Sequence, residues 1–252
     1  MTSFKTSALA ITLSCISLTI LADEPPAAKA PWQWGVSAGW QSYREPIMQL
    51  QGPEVGLLSH WQPSEAFKLE GQLSLARLKY SSTSSGTMSN VPQIEASLRA
   101  LGPAASLGRM GLVEPTLQWS YTHNDLRGET STRTRGYERY LNNLWLGVRW
   151  TQTHLPADWA ISRASLDLQA LVKGRQLSKL SQANPAYSDV LTETRGGWAL
   201  GLQVRIPGTH GEFEPYVRWQ QLDRSNRVFS GVGYATEPEH RKLWIGLNWW
   251  MN

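Results

Sequence analysis

The run Arg241-Lys242-Leu243-Trp244-Ile245-Gly246-Leu247-Asn248-Trp249-Trp250 decides the fold of this chain. Successive side chains of a β-strand point to opposite faces, so alternate residues share a face. In this run one set of alternate positions is apolar, the other is mixed, and Arg241 marks the boundary. The apolar set is Leu243, Ile245, Leu247 and Trp249, and the mixed set is Lys242, Trp244, Gly246 and Asn248.

The segment before this run repeats the pattern, so we interpret residues 211–252 as the last β-hairpin of the chain. The same period of two recurs from Trp32 onward, interrupted by stretches rich in Gly, Pro, Ser and Asn. It predicts an all-β fold, an antiparallel up-and-down transmembrane β-barrel of about ten strands that occupies residues 32–252. The predicted strands lie at 32–41, 55–61, 67–75, 93–99, 113–121, 143–150, 166–173, 198–206, 213–220 and 242–249.

Alternation alone does not separate a membrane barrel from a soluble one, which would bury its apolar face. Two features favour the membrane: glycines accompany the charged face, as suits a crowded lumen, and Trp residues accompany the apolar face, as in aromatic girdles. A soluble periplasmic β protein is the alternative. In the membrane interpretation the mixed faces form a charged lumen network, which comprises Lys68, Glu70, Glu95, Arg99, Glu114, Arg149, Asp167, Lys173, Arg205, Glu214, Arg218 and Lys242.

The connections between strands are predicted to alternate in character. Those after odd-numbered strands are mostly longer and rich in Ser, Thr, Asn, Gly and Arg, whereas those after even-numbered strands are mostly shorter. Outer-membrane barrels have short periplasmic turns and long extracellular loops. A barrel of about ten strands is also narrow, so the charges inside it should pair and plug the lumen.

The N-terminus has a different composition from the rest of the chain. Lys5 precedes an apolar stretch over residues 8–21, and the small residue Ala22 precedes a polar segment. This pattern predicts a signal peptide over residues 1–22 and a periplasmic leader over residues 23–31. Cys15 is the single cysteine and lies within the signal peptide; a lipidated Cys15 is the alternative.

Composition narrows the remaining function classes. The body of the chain holds no run of about 18 apolar residues, which excludes a transmembrane helix there. The net charge of +4 is small and scattered, so we expect no nucleic-acid partner. The sequence has no His-rich or carboxylate cluster of the kind that binds metals, and we expect no cofactor.

In size and pattern, residues 32–252 resemble the small single-chain outer-membrane β-barrels of Gram-negative bacteria, in the ten-stranded size range of the omptins and the Opc-type adhesins. The resemblance is one of strand pattern and not of a diagnostic motif. It implies location in the cell outer membrane, contact with outer-membrane lipids and lipopolysaccharide, and insertion by the barrel-assembly machinery. Such proteins generally end on an aromatic residue, and this chain departs from that by ending in Met251-Asn252 after two tryptophans.

Candidate catalytic residues are few. Omptin-like proteolysis would need paired Asp residues on one rim and a His/Asp pair opposite; the best match is His123 and Asp125, with Asp223 as a partner. The Asp pair is missing from strands two to four. A lipid hydrolase would use a serine beside a histidine on the lipid-facing surface, and neither His60 nor His240 has a nearby serine with the right alternation. Ordinary loop chemistry therefore explains these residues better than catalysis.

Arginines in the loops offer a second candidate site. They could bind lipopolysaccharide phosphates by charge-assisted hydrogen bonds, although solvated loop charge explains them equally well. These residues are Arg127, Arg133, Arg135, Arg139 and Arg195.

The sequence thus favours a non-enzymatic outer-membrane barrel that presents extracellular loops, serving envelope integrity, adhesion or ligand capture, with a lumen plugged by charged residues. A narrow channel for small solutes and an outer-membrane hydrolase of omptin type are the two alternatives. The extracellular ligand is not indicated by any motif.

Overall fold

A computed structural model of the chain describes residues 32–152, 154–156 and 159–251. The predicted signal peptide and leader lie outside these residues. Ten long strands dominate the fold, each containing one of the predicted segments. They are β1 Trp32–Arg44, β2 Met48–Ser64, β3 Phe67–Ser82, β4 Gly86–Leu101, β5 Leu112–Asp125, β6 Glu138–Gln152, β7 Arg163–Ser178, β8 Gly197–Gly208, β9 Gly211–Leu222 and β10 His240–Trp250.

The ten strands form a closed antiparallel barrel. Each strand pairs with its neighbours in sequence, and β10 pairs with β1, from Gly35 opposite Trp250 to Arg44 opposite Arg241. Closure leaves no unpaired edge in the main sheet. The predicted all-β, up-and-down barrel of about ten strands is therefore confirmed.

Short elements lie between the long strands. None of the helices in the described residues is long and apolar enough to cross a membrane. The short strands are Ala105–Ser106, Val190–Thr194, Val228–Phe229 and Tyr234–Ala235, and the helices are a 3-10 turn at Gly108–Met110 and an α-helical turn at Leu180–Ala183.

The connections give the two ends of the barrel different characters. We call the end with segments 126–137, 179–196 and 223–239 the loop end, and the opposite end, where β1 begins and β10 stops, the turn end. Two loop-end connections, residues 45–47 and 83–85, are shorter than predicted. The flanking strands continue through the polar sequence there, because β1 stays paired with β2 and β3 with β4 up to these turns.

The barrel is apolar outside and polar inside over most of its height. On β8, Leu202 is 50% exposed on the outer face, whereas its neighbour Gln203 is 7% exposed in the lumen. On β2, Val55 is 59% exposed and Glu54 is 3% exposed. This distribution is the reverse of that in a soluble barrel, whose outer face is solvated.

Toward the loop end, strands β2 to β4 reverse this polarity. Inside the barrel, Leu50, Leu78 and Val91 are at most 1% exposed and pack in one apolar cluster. Outside, Gln51 and Lys79 face away from the lumen at the same level. These strands therefore extend beyond the apolar outer band. Their loop-end residues are apolar inside and polar outside, as in a soluble β-barrel.

Candidate functional site: the filled lumen and its loop-end mouth

Four charged side chains form the centre of the lumen. Asp167 on β7 accepts hydrogen bonds from Arg99 Nη1 at 2.9 Å and from Arg149 Nε at 2.8 Å. Arg149 Nη1 also donates to Glu70 Oε1 at 2.5 Å, so one guanidinium joins two carboxylates from different strands. Alternation brings these residues inside, and the narrow cross-section brings β3, β4, β6 and β7 within reach of one another.

A second group lies between the centre and the loop end. Lys242 Nζ donates a short hydrogen bond to Glu95 Oε2, and the Tyr216 hydroxyl donates to Glu54 Oε1 at 3.1 Å. Lys242 also lies 4.3 Å from the ring centroid of Trp244. Because these contacts cross the lumen, they connect opposite parts of the barrel wall.

A third group closes the turn end. Lys68 Nζ lies 2.5 Å from Glu114 Oε1, and Arg205 donates to Glu212 at 2.7 Å and to Glu214 at 3.2 Å. The Arg205 guanidinium also lies 5.3 Å from the ring centroid of Trp250, which is buried at this end. The aromatic ring and the ion pairs together fill the cross-section near the turn end.

Arg218 differs from the other predicted lumen cations. Its Nη1 donates to Gln72 Oε1 at 2.8 Å, and its guanidinium lies 5.0 Å from the ring centroid of Tyr216. Within the described part of the chain it has no carboxylate within ion-pair distance. Arg218 is therefore held by a neutral amide and an aromatic face.

Lys173 requires a correction to the predicted network. A β-bulge in β7 places Leu144 opposite Lys173 but Trp145 opposite Leu171, so one extra residue shifts the alternation. The Lys173 side chain is consequently outside the barrel, 50% exposed, with Nζ 3.6 Å from Glu193. The other predicted network residues face the lumen, and all but Arg218 form ion pairs there.

The spaces left between these side chains are small. One cavity of about 30 Å³ borders Glu70 and Arg218, and another of about 20 Å³ borders Glu95 and Asn143. A cavity needs at least about 10–15 Å³ of volume open to the centre of a water-sized sphere to hold one water molecule. Each cavity therefore has room for one or two waters and not for a larger solute.

An apolar cluster occupies the β1–β4 side of the lumen at the loop end. Leu50, Leu78 and Val91 from the wall pack with Leu126, which lies in the connection after β5. The Tyr43 ring, 4% exposed, borders the same cluster and stands 4.8 Å from the ring of His240. An apolar layer thus covers part of the polar lumen near its loop-end mouth.

Arg139, which was predicted to lie in a loop, is instead a buried residue of the barrel interior. It lies in β6, is 2% exposed, and its Nη2 donates to Glu45 Oε1 at 2.7 Å and to Glu237 Oε2 at 2.9 Å. The sequence does contain a pattern that places Arg139 in a strand, because Arg139, Leu141 and Asn143 continue the inward alternation of β6. The polar composition of residues 124–136 masked it.

Glu237 ties the connection 223–239 into the mouth of the barrel. Its second carboxylate oxygen accepts a hydrogen bond from Ser178 Oγ at 2.7 Å, and its backbone N–H donates to Ser225 Oγ at 2.8 Å. Nearby, burial raises the pKa of Tyr137 to about 12. We call Arg139, Glu45 and Glu237 the mouth latch.

The structure does not assemble the candidate catalytic residues. His123 faces outward on β5, stacked on Tyr140, with its Nε2 3.4 Å from Glu138, while Asp125 pairs with Arg127. Three strands separate β5 from Asp223 at the end of β9.

The two other candidate histidines, His60 and His240, face the lumen. His60 Nδ1 lies 3.9 Å from Glu70, and the His240 ring packs against Tyr43. The described residues contain no group of three or more metal-binding side chains.

No protein-family model matches the chain, and no curated protein matches it. Among solved structures, it is similar to the outer membrane protease OmpT from Escherichia coli, with 7% identity, a TM-score of 0.49, and coverage of 87% of this chain and 94% of that chain. It is also similar to the translocator domain of the autotransporter NalP from Neisseria meningitidis, with 11% identity, a TM-score of 0.44, and coverage of 89% and 90%.

A third similar structure is the COG4313 outer membrane channel from Pseudomonas putida F1, with 10% identity, a TM-score of 0.40, and coverage of 91% of this chain and 99% of that chain. At such identities the role of this chain has to be argued from its own residues.

Proposed function

We propose that this protein spans the bacterial outer membrane as a closed, non-conducting barrel and presents its loop end to the exterior, where it serves envelope integrity, adhesion or ligand capture. The observation that carries the proposal is the reversed polarity of the barrel. Leu202, Val55 and other large apolar side chains are half exposed outside, while ion pairs occupy the interior. In water such an outer face would associate or precipitate.

The height of the apolar face supports a membrane span. Outward apolar positions run from Trp32 to Trp40 on β1 and from Trp198 to Ile206 on β8, nine residues in each case. A tilted strand of about 9–11 residues crosses the hydrocarbon core of a bilayer. Trp32 at the turn end and Trp198 near the loop end are about half exposed, as girdle residues at the two interfaces would be.

The contents of the lumen support a closed barrel. The central cluster around Asp167, the turn-end group around Arg205 and the apolar layer around Leu50 lie at three different heights. An ion crossing the lumen would have to displace all three. The loop end, which carries the three longest connections, is then the part of the molecule available to external partners.

Cell fractionation and heat-modifiability test the location, and planar-bilayer recording tests the closure. We expect the protein in the outer-membrane fraction, a faster gel band when the sample is not boiled, and little or no steady conductance. Recovery in the soluble periplasmic fraction would contradict the membrane span. Large, stable open channels would instead favour the alternative of a narrow solute channel.

A further inference from the structure

The outer surface near the loop end carries a group of cations with few counter-ions. Arg44 at the end of β1 lies directly opposite Arg241 at the start of β10, and both side chains face outward. On the outer face of β3, Arg77 and Lys79 are also exposed. We call these four residues the basic rim patch.

The patch is short of negative charge. The one ion pair that it forms with described residues joins Arg241 to Glu239 at 4.0 Å, with both side chains more than half exposed. The described residues give Arg44, Arg77 and Lys79 no ion pair or side-chain hydrogen bond. Like charges directly opposite each other on adjacent strands destabilise a sheet, so Arg44 and Arg241 favour an anion between them.

Neutral polar residues fill the space between the cations. Gln49 lies opposite Arg44, and its Nε2 donates to Gln51 Oε1 at 2.9 Å, while Gln51 lies opposite Lys79. From strand spacing and rise, the Cα atoms of Arg44 and Lys79 are about 12 Å apart. The patch therefore spans the width of a headgroup with more than one anionic substituent.

The position of the patch selects the class of ligand. Below it on the outer wall, beyond the pair Ser42 and Leu243, Trp40 and Ile245 are each about half exposed and belong to the apolar band. A ligand seated on the patch therefore has apolar surface beneath its anionic group. A lipid whose headgroup carries phosphate meets both requirements, whereas a soluble anion meets only one.

Several other cations near the loop end already have carboxylate partners. Arg139 is buried in the mouth latch, and Arg127 is paired with Asp125 at 2.8 Å. Lys173 and Arg175, which also face outward on β7, share Glu193 at 3.6 Å and 3.0 Å. Among the outward cations of the ten long strands, those without a close carboxylate partner therefore lie on β10, β1 and β3.

We propose that the basic rim patch binds the phosphorylated headgroup of an outer-leaflet glycolipid, with Arg44 and Arg241 sharing one phosphate and Lys79 and Arg77 positioned for a second. Arginine suits this role because its guanidinium binds phosphate oxygens in pairs. This inference rests on the proposed membrane location. It adds a ligand class and a binding site on the outer wall.

The test uses the full mature chain reconstituted in nanodiscs of phosphatidylcholine mixed with bis-phosphorylated lipid A. After detergent exchange, native mass spectrometry counts the glycolipid that stays bound. We expect wild type to retain it and the Arg44→Gln, Arg241→Gln double variant to retain about tenfold less, since two charge-assisted contacts are lost. Dephosphorylated lipid A should be retained poorly by both, and inorganic phosphate should not displace the bound lipid.

The matched control is the Lys173→Gln, Arg175→Gln double variant, which removes two outward cations that already have a carboxylate partner. Its retention should equal that of wild type. Equal retention by wild type and the Arg44/Arg241 variant would overturn the proposal, as would an equal loss in the control, which would indicate diffuse charge attraction. Displacement by inorganic phosphate would show a phosphate site without lipid selectivity and also overturn it. If the protein failed to enter nanodiscs of either composition, the membrane location itself would be wrong.

Discussion

Single residues show how far alternation can be trusted. Period two places Arg149, Asp167 and Arg99 in the lumen, and the structure has them there. It misplaces Lys173, because one extra residue in a bulge turns every later side chain of the strand to the other face. Bulges leave no clear signature in the sequence, so this error could not be avoided from the pattern alone.

A charged substitution tests whether the outer face of the barrel contacts lipid. Leu202→Arg places a cation near mid-membrane, and we expect it to destabilise the barrel by about 2–4 kcal/mol in reversible urea unfolding in lipid vesicles. The control is Ser89→Arg, at an exposed position on β4 beyond the apolar band, which should change stability by less than about 0.5 kcal/mol. If the control were the more damaging of the two, the apolar face would not be the lipid face.

Tyr137 gives a pH-dependent prediction for the loop end. Burial raises its pKa from 10.0 to about 12, so the folded protein holds this proton more tightly than the unfolded chain does. Its contribution to stability is therefore complete below pH 10 and is lost as the pH rises from about 10 to about 12. In a phenolate absorbance titration, Tyr137→Phe should remove one late-titrating tyrosine.

The control for this titration is Tyr234→Phe, whose side chain is 69% exposed on the short hairpin of the 223–239 connection. That variant should leave the late step unchanged. A Tyr137→Phe protein that kept the full late step would show that Tyr137 is not buried over the mouth.

Among the structural elements, the connections at the loop end depart most from the sequence-based expectation. Segments 45–47 and 83–85 are tight turns because β1 to β4 extend beyond the apolar band, with Leu50 and Leu78 inside and Gln51 and Lys79 outside. Sequence composition assigned these polar stretches to loops. In β3, for example, the apolar positions change from outward Leu75 to inward Leu78, which interrupts the period-two pattern by which a strand is predicted.

The 223–239 connection is the element on which the mouth latch acts. Glu237→Gln removes the charge that pairs with Arg139, whereas Glu45 stays in place to partner that arginine. We expect the connection to open more readily by about 1.5–3 kcal/mol, which corresponds to about 10- to 150-fold faster amide exchange between residues 225 and 237. Trypsin should also cleave faster after Arg224 and Arg227.

Glu239→Gln is the matched control, since Glu239 lies two residues away but is exposed and has only a 4.0 Å contact with Arg241. Its exchange and cleavage rates should match those of wild type. Equal acceleration in both variants would mean that the loop responds to total charge and not to the latch.

For the whole molecule, the architecture could be predicted from the sequence because it depends on one simple pattern, the alternation of apolar and polar residues along each strand. The all-β class, the strand count and the lumen face follow from period two together with the lack of a long apolar run in the body of the chain, residues 32–252. The mouth latch follows from tertiary contacts between the 45–47 connection, β6 and the 223–239 connection, which no local pattern encodes. The basic rim patch is of the same kind, since only the pairing of β1 with β10 brings Arg44 and Arg241 together.

The closed lumen gives the last prediction. Replacing both Arg149 and Arg218 by Ala removes two long side chains, Arg218 from the lining of the cavity of about 30 Å³ and Arg149 from the central ion-pair cluster. Arg99 remains within 2.9 Å of Asp167 and 3.6 Å of Glu70, so neither carboxylate is left without a cation and the barrel should still assemble. We expect a small, cation-preferring leak in planar bilayers where wild type shows none, because the two lost positive charges leave the central lumen net negative.

The Leu200→Ala, Leu202→Ala variant truncates two outward side chains instead and should conduct as little as wild type. If the double arginine variant inserted, migrated as a folded barrel and still did not conduct, the seal would have to reside in the apolar layer around Leu50 and the mouth latch, and the ion-pair cluster would be a structural brace only.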